Sequence, residues 1–556
     1  MPTITIDPQD FAELLGQHLD EAELERQLDL VKGELKGRDE HGGLRIELND
    51  TNRPDLWSAE GIARQLRAAR GRRRDYSFFQ GGATGQIRVE PALADIRPYV
   101  GAFAARGVRV SEKSLVQLIQ TQEKLAENFG RARRDLAIGV YNLGRITFPV
   151  HYRAVRPAEH RYTPLGCEEP MTLDAILARH PKGIQYGGIL AGRERVPLLR
   201  DEAGLTLSMP PIINSRELGE VVPGDADLFV EATATNLFSL VLALNIMACD
   251  LADRGARIER IRTVFPYDTP LGREVDLPRR LDRSIQIPLA EFHRLLGVPV
   301  QGVEADRVLE HYGCDVSFDG ERLLVQPPPT RDDYLHPVDV VEDFAIARGY
   351  QTFEPRLPRD FTIGRLDVRS VFEDAVRRIL VGLGFEEMFS NILTSRAHLA
   401  DALRNPAQPL VEVANVMNEN FAALRHRILP CLLVAEGKSA TAAYPHRLFE
   451  SGEVAVFDES APHGSRTENH LCALLAHPQA TLSELHADLE FLAQELGREF
   501  DYVEVERAEF IAGRAAAVRT AGREIGVMGE VHPETLERFA IGVPAVAFEL
   551  VLDRMM

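Results

Sequence analysis

Apolar positions along the chain recur with a period of two in some stretches and close to 3.6 in others, and the two patterns alternate from end to end. That alternation predicts interleaved strands and helices in α/β or α+β modules. Residues 1–85 read as helix, helix, a strand over "GLRIELND" and a further helix, ending in the basic run "RGRRRDY". Residues 86–268 form a larger α+β unit. It holds one helix with Leu115, Leu118, Ile119, Gln122, Ala126 and Phe129 on a single face. A second helix, starting at Asn236 and running to about 253, is apolar nearly all round, as a core helix should be. After the connector "TVFPYDTPLGREVDLP", residues 275–356 read as strand ("SIQIPL"), helix ("LAEFHRLLG"), helix ("EADRVLEHYG") and hairpin ("CDVSFDGERLLVQPPP"). Asp319-Gly320 is a type I′ turn signal, and two short helices followed by a hairpin is the winged-helix order. Residues 357–556 alternate again, beginning with a helix around Val371, Ala375, Val376, Ile379 and Leu383.

The stretch "PTRDDYLHPVDVVEDFAIARGY" carries the densest candidate chemistry. Pro337 fits the first turn of a helix, where its missing N–H is no loss, and Gly349 fits the stop. Asp339, Glu342 and Asp343 then stand at i, i+3 and i+4 on one side, with Asp333 arriving from the preceding loop. Like charges so placed repel each other, and a hard divalent cation would resolve the repulsion. An all-oxygen set suits Mg²⁺ better than Zn²⁺. The competing reading is a solvated acidic helix start favoured by the helix dipole.

Composition narrows the field. The chain has 556 residues, enough for roughly three to five domains, with 45% hydrophobic and 27% charged residues. A net charge of −20 argues against a protein coated in nucleic acid, while leaving room for tRNA contact through local basic patches. The five cysteines (Cys167, Cys249, Cys314, Cys431, Cys472) lack CxxC spacing, which excludes a zinc site or disulfide framework and fits a reducing cytosol. The start "MPTITIDPQDF" has neither the basic nor the apolar region of a secretory signal. The most apolar helix is interrupted by Ser239, Asn245 and Asp250, so a soluble cytoplasmic protein with no membrane contact is expected.

Eight stretches in order resemble one family, the beta subunit of phenylalanyl-tRNA synthetase in its shorter archaeal and eukaryotic cytosolic form. They are "NDTNRPDLWSAEGIARQL", "LIQTQEKLAENFGRARRDLAIGVYNL", "LSMPPIINS", "LFVEATATN", "RDDYLHPVDVVEDFAIARGY", "NVMNENFAALRHRILPCLL", "RLFESGEVAVF" and "VMGEVHPETLERF", and together they span essentially the whole chain. The resemblance implies an α+β multidomain subunit in four parts. These are an N-terminal α+β domain (1–85), an editing domain (86–268), a winged-helix-like domain with a Mg²⁺ site (275–356) and an inactive class II catalytic-like antiparallel-sheet domain (357–556). It implies pairing with an alpha subunit, which holds ATP and phenylalanine, in an α2β2 heterotetramer acting on tRNA(Phe).

The same resemblance implies particular site residues. Asp333, Asp339, Glu342 and Asp343 match the family's Mg²⁺ ligands at a site shared with the alpha subunit. Leu199, Ser208, Glu231 and Thr233 match the editing pocket. A synthetic pocket shaped for phenylalanine cannot strongly reject tyrosine, so accuracy needs a second site that hydrolyses the wrong ester. In such a site Glu231 is the natural acceptor for the phenol hydroxyl, and Ser208 and Thr233 orient the ester or the attacking water. The family more often has an aspartate at this position; Glu231 is one methylene longer. The plain alternative is a strand end running into a helix capped by Thr235 or Asn236.

In the last domain, Glu450 and Leu550 stand where a class II synthetase needs arginines for the α- and γ-phosphates, so no aminoacylation centre is expected in this chain. Arg131, Arg133 and Arg134 are candidate tRNA contacts; Arg70, Arg72, Arg73 and Arg74 are a second basic knot that reads equally well as a solvated linker. The acidic helix "EADRVLEHYG" argues against binding duplex DNA. The alternative function is a free-standing hydrolase of mischarged tRNA, which needs only residues 86–268.

Overall fold

In this computed structural model, residues 2–358, 360–439 and 441–556 are described. The chain divides into two units, Met1–Arg356 and Leu357–Met556.

The first unit opens on a three-stranded antiparallel sheet, Thr3–Ile6, Leu44–Leu48 and Gly33–Arg38, with the central strand Leu44–Leu48 between the other two. Sequence reading found only that central strand. Thr3–Ile6 alternates but is only four residues long, too short to stand out as a strand, and "GELKGR" is polar and mostly exposed.

The centre of the unit is a ten-stranded sheet. One end of its strand order is Leu136–Asn142, hydrogen-bonded to Asp227–Ala234; the other end is Thr206–Met209 and Ile213–Asn214. These two ends meet in space. The Tyr141 hydroxyl of the first end lies 3.2 Å from Asn214 Oδ1 of the other, so the sheet curls round and encloses a cavity. Helix Leu237–Asp253 backs the sheet against Tyr99–Arg106 and Asp227–Ala234, and fourteen of its residues are buried. Asn236 is its N-cap, accepting hydrogen bonds from the backbone N–H groups of Phe238 and Ser239. Asp135 O accepts the N–H of Thr235, which ties the incoming strand end to the neighbouring loop.

Strand Ile285–Pro288, helices Leu289–Leu296 and Gly302–His311, and hairpin strands Asp315–Phe318 and Arg322–Gln326 follow in the order read from sequence. The turn differs from the expected type I′. Among its residues only Gly320 has positive φ (104°), whereas type I′ needs two such residues. The Asp319 carboxylate instead accepts the N–H groups of Glu321 and Arg322 and holds Asp319 in an ordinary conformation. Helix Pro337–Arg348 starts and stops where Pro337 and Gly349 predict.

The second unit is a seven-stranded, largely antiparallel sheet with helices on both faces. Alternation along strand Ser465–Ala476 sends Leu471, Ala473 and Leu475 to one core with helices Val368–Gly382 and Leu482–Glu495. It sends Cys472, Leu474 and Ala476 to the other core, with helix Leu429–Lys438. Among the described residues no helix is long and apolar enough to cross a membrane.

Candidate functional site

Strand Asp227–Ala234 alternates, so Glu231 and Thr233 point to the same side of the sheet. That side faces a cavity of about 290 Å³, close to the lower limit of roughly 300 Å³ typical of small-molecule sites. Leu115, Leu118, Ile119 and Gln122, the apolar face read from sequence, form one wall; Ser208 and the turn Pro210–Ile212 form another. Glu231, Thr233 and Ser208 are all buried. Leu199 is the exception among the expected residues. It pairs with Ser208 in register, but its side chain belongs to the main core and not to the cavity wall.

Glu231 is poised as an acceptor. Its Oε1 takes a hydrogen bond of 2.9 Å from the Tyr141 hydroxyl, while its Oε2 is buried with no hydrogen-bond partner. The Ser208 hydroxyl lies beside the Tyr141 phenol without a well-formed hydrogen bond of its own. Two unsatisfied polar groups in one cavity are costly in a folded protein and mark where a polar ligand atom belongs. Burial pushes the Glu231 carboxyl up to about 7, against the opposing pull of the Tyr141 hydrogen bond and the Arg97 charge. Burial also holds the Tyr141 phenol well above its usual range, so it stays a donor.

Sequence reading missed Tyr141, Gly139 and Arg97. The run "GVY" places Gly139 and Tyr141 on the same face of their strand, a signal of period two that becomes meaningful only once Glu231 is known to lie opposite. Arg97 is an isolated cation in an apolar stretch, and in the structure it is buried beneath Thr233.

The candidate tRNA arginines separate. Arg131 and Arg134 are exposed. Arg133 turns inward: it donates to Ile212 O at 3.0 Å, stacks 4.3 Å above the Tyr186 ring and lines the cavity rim. Residues Arg131, Ala132 and Arg133 all have positive φ, a left-handed turn beside the cavity. In the other basic knot, Arg73 pairs with Asp315, Arg74 stands 3.6 Å from Asp253, and Arg72 remains exposed.

The four acidic residues near 340 are not brought together. Arg331 reaches Asp333 with two hydrogen bonds (2.9 and 2.6 Å) and Asp343 at 2.5 Å, all in the interior, where Tyr334 also donates to Asp343. Asp339 faces the helix start and accepts the N–H groups of Leu335 and His336. Glu342 points outward to Lys32 at 2.6 Å. Residues one apart on a helix diverge by about 100°, so Glu342 faces out while Asp343 faces in. Among the described residues, no three His, Cys, Asp or Glu side chains form a metal-binding group. The inward pair is neutralised by a guanidinium, and the four do not fit a single Mg²⁺ centre within this chain.

In the second unit, Glu450 is buried in an ion pair of 2.5 Å with Arg425 and accepts from Ser390 Oγ, and Leu550 is fully buried in the sheet. Neither position offers a cation to a triphosphate.

Comparison with known proteins adds a second line. Residues 285–350 match the family model of the tRNA synthetase B5 domain, and residues 354–552 that of the phenylalanyl tRNA synthetase beta chain CLM domain. A phenylalanine–tRNA ligase beta subunit from Treponema pallidum subsp. pallidum is 37% identical, covering 99% of each chain. One from Thermococcus gammatolerans is 37% identical over 99% of this chain and 98% of its own. A solved N-terminal fragment of the phenylalanyl-tRNA synthetase beta subunit from Pyrococcus horikoshii is similar at a TM-score of 0.59 and 36% identity, covering 63% of this chain and all of that one.

Proposed function

The chain belongs to the phenylalanine–tRNA ligase beta-subunit family, and from that premise we propose that it serves a cytoplasmic α2β2 ligase and hydrolyses tyrosine wrongly esterified to tRNA(Phe) in the cavity beneath Glu231. The observation that carries the editing role is the unpartnered Oε2 of Glu231, buried in a cavity of amino-acid size. A tyrosyl ester brings a phenol O–H that satisfies it. A phenylalanyl ester leaves the carboxylate desolvated and unpaired, and so is disfavoured. Ser208 and Thr233 supply hydroxyls near the ester or the attacking water, and Arg131 and Arg134 offer exposed charge to the tRNA backbone.

Phenylalanine activation belongs to the alpha partner in this reading, with ATP and Mg²⁺ bound there. Any Mg²⁺ held jointly with that partner falls to the outward carboxylates Asp339 and Glu342, because Arg331 engages Asp333 and Asp343. The four-part division at 1–85, 86–268, 275–356 and 357–556 assigns the cavity to the second part. Exposed apolar side chains of the second unit, among them Val368, Val371, Phe389 and Met417, suit a protein partner.

The test is deacylation by the complex reconstituted with its alpha partner. Tyr-tRNA(Phe) should be cleared much faster than Phe-tRNA(Phe). Equal rates, or no clearance of the tyrosyl ester, would remove the editing role.

A further inference from the structure

Arg97 is 2% exposed, and among the described residues it has no ion-pair partner. A buried guanidinium without a carboxylate is expensive unless its donors are spent on fixed acceptors and its charge serves a neighbour. Its donors are spent on two residues. Nε–H donates to Thr233 Oγ1 at 2.9 Å, Nη2 to Thr233 O at 2.6 Å, and Nη1 to Arg134 O at 2.9 Å, next to the left-handed turn. Tyr152 locks the residue from behind by donating to Arg97 O at 3.0 Å.

The direction of the Nε–H bond has a chemical consequence. A threonine hydroxyl that accepts from a guanidinium keeps its own proton free to donate elsewhere. Thr233 lines the cavity, and none of the hydrogen bonds found among the described residues uses that proton. The charge has a consequence as well: Arg97 is bonded to Thr233, two positions from Glu231 on the same face of one strand, and its charge opposes the burial that favours the neutral carboxyl. Packed around Glu231 are Tyr141 on the adjacent strand, Arg97 from the loop below and Tyr152 from strand Val150–Val155, while Glu123, Arg133, Lys182 and Glu220 line the same cavity. Arg97 is the one cation among the groups that act on the Glu231 carboxyl.

We propose that Arg97 is the positioning residue of this cavity: it makes Thr233 a hydrogen-bond donor toward the ligand and biases the neighbouring Glu231 carboxyl toward its acceptor form. The cavity thereby presents a donor at one point and an acceptor at another, a polarity matched to an ester carbonyl or attacking water on one side and a phenol on the other. This rests on the editing reading for its substrate, but the electrostatic part can be tested without one.

The test compares thermal melts of the full chain at pH 5 and pH 9 for the parent, Arg97→Met, Glu231→Gln and the double variant. Arg97→Met should lower Tm more at pH 9, where Glu231 is ionised, than at pH 5. That difference should vanish in the Glu231→Gln background. An equal loss at both pH values would overturn the proposal. Should Arg97→Met fail to fold, Arg97→Gln, which retains a donor, carries the same comparison. In the complex, Arg97→Met should slow Tyr-tRNA(Phe) hydrolysis roughly ten- to a hundredfold. It should also raise the midpoint of the pH–rate profile by about one unit or more, while Arg97→Lys keeps the midpoint near the parent value. An unchanged rate and midpoint in a folded Arg97→Met complex would also overturn it. If the parent complex fails to clear Tyr-tRNA(Phe), the editing reading falls, and the melts still decide the role of Arg97.

Discussion

Gly139 stands directly opposite Glu231 in the sheet register, and its missing side chain is what admits the Tyr141 phenol to the Glu231 carboxylate. A Cβ at Gly139 would lie 2.3 Å from the Tyr141 hydroxyl oxygen and 2.7 Å from Glu231 Oε1. The pair can form only where the strand carries no side chain. Glu231 is thereby anchored through one oxygen and left open through the other.

Gly139→Ala should therefore displace the phenol, the carboxylate or both. Overpacking of this kind costs about 1–3 kcal/mol, and Tyr-tRNA(Phe) hydrolysis should fall with it. Tyr141→Phe, which removes the donor without crowding, should lower the rate while leaving the fold within about 1–2 kcal/mol of the parent. Denaturant melts and deacylation rates on both variants check this; a Gly139→Ala variant that matches the parent in both would contradict the geometry.

Glu231 also makes stability depend on pH. Its carboxyl is raised from 4.5 to about 7 in the folded state, so the native protein holds a proton that the unfolded chain has lost. Stability from this group is present below the unfolded value and falls as pH rises from about 4.5 to 7. The full loss is on the order of 3 kcal/mol. Glu231→Gln should therefore gain relative to the parent between pH 5 and pH 8, as measured by urea midpoints at the two values. A gain that is the same at both pH values would contradict the assignment.

Arg331 holds Asp333 and Asp343 in the interior, where the family resemblance implied a metal ion. Chelation with EDTA should leave the Tm of the isolated chain unchanged. Arg331→Met, which strands two buried carboxylates, should cost about 3–5 kcal/mol. A large fall in Tm on chelation alone would show that a metal, not the guanidinium, neutralises the pair.

Glu450 is spent in a buried ion pair with Arg425 and Leu550 is buried in the sheet, so neither offers a cation to a triphosphate. The chain without its alpha partner should give no phenylalanine-dependent exchange between ATP and pyrophosphate. Robust exchange would contradict the reading of Glu450 and Leu550.

Much of this was legible locally. Pro337 and Gly349 bracket their helix, Asn236 caps helix Leu237–Asp253, and the apolar face from Leu115 to Gln122 is one wall of the cavity. The residues that set the chemistry were not legible, because they arrive from far along the chain. Tyr141 is 90 residues from Glu231, and Arg97 is 136 from Thr233. A local pattern says which face of a strand is buried; it cannot say which distant side chain will meet it. Arg331 was closer, 12 residues from Asp343. Helical spacing grouped the carboxylates on one side but took no account of a cation entering from the preceding loop, nor of the one-residue offset that turns Glu342 out and Asp343 in.

The editing role turns on recognition of the tyrosine hydroxyl by the Glu231 carboxylate. The most direct measurement is the rate of Tyr-tRNA(Phe) deacylation by the reconstituted complex carrying Glu231→Ala, alongside its phenylalanylation rate and its melting temperature. One charge-assisted hydrogen bond lost corresponds to roughly a ten- to a hundredfold fall in rate. Deacylation should fall by that factor while phenylalanylation stays near the parent rate, if the synthetic pocket lies on the alpha partner as proposed. A variant that melts normally and clears Tyr-tRNA(Phe) as fast as the parent would contradict it.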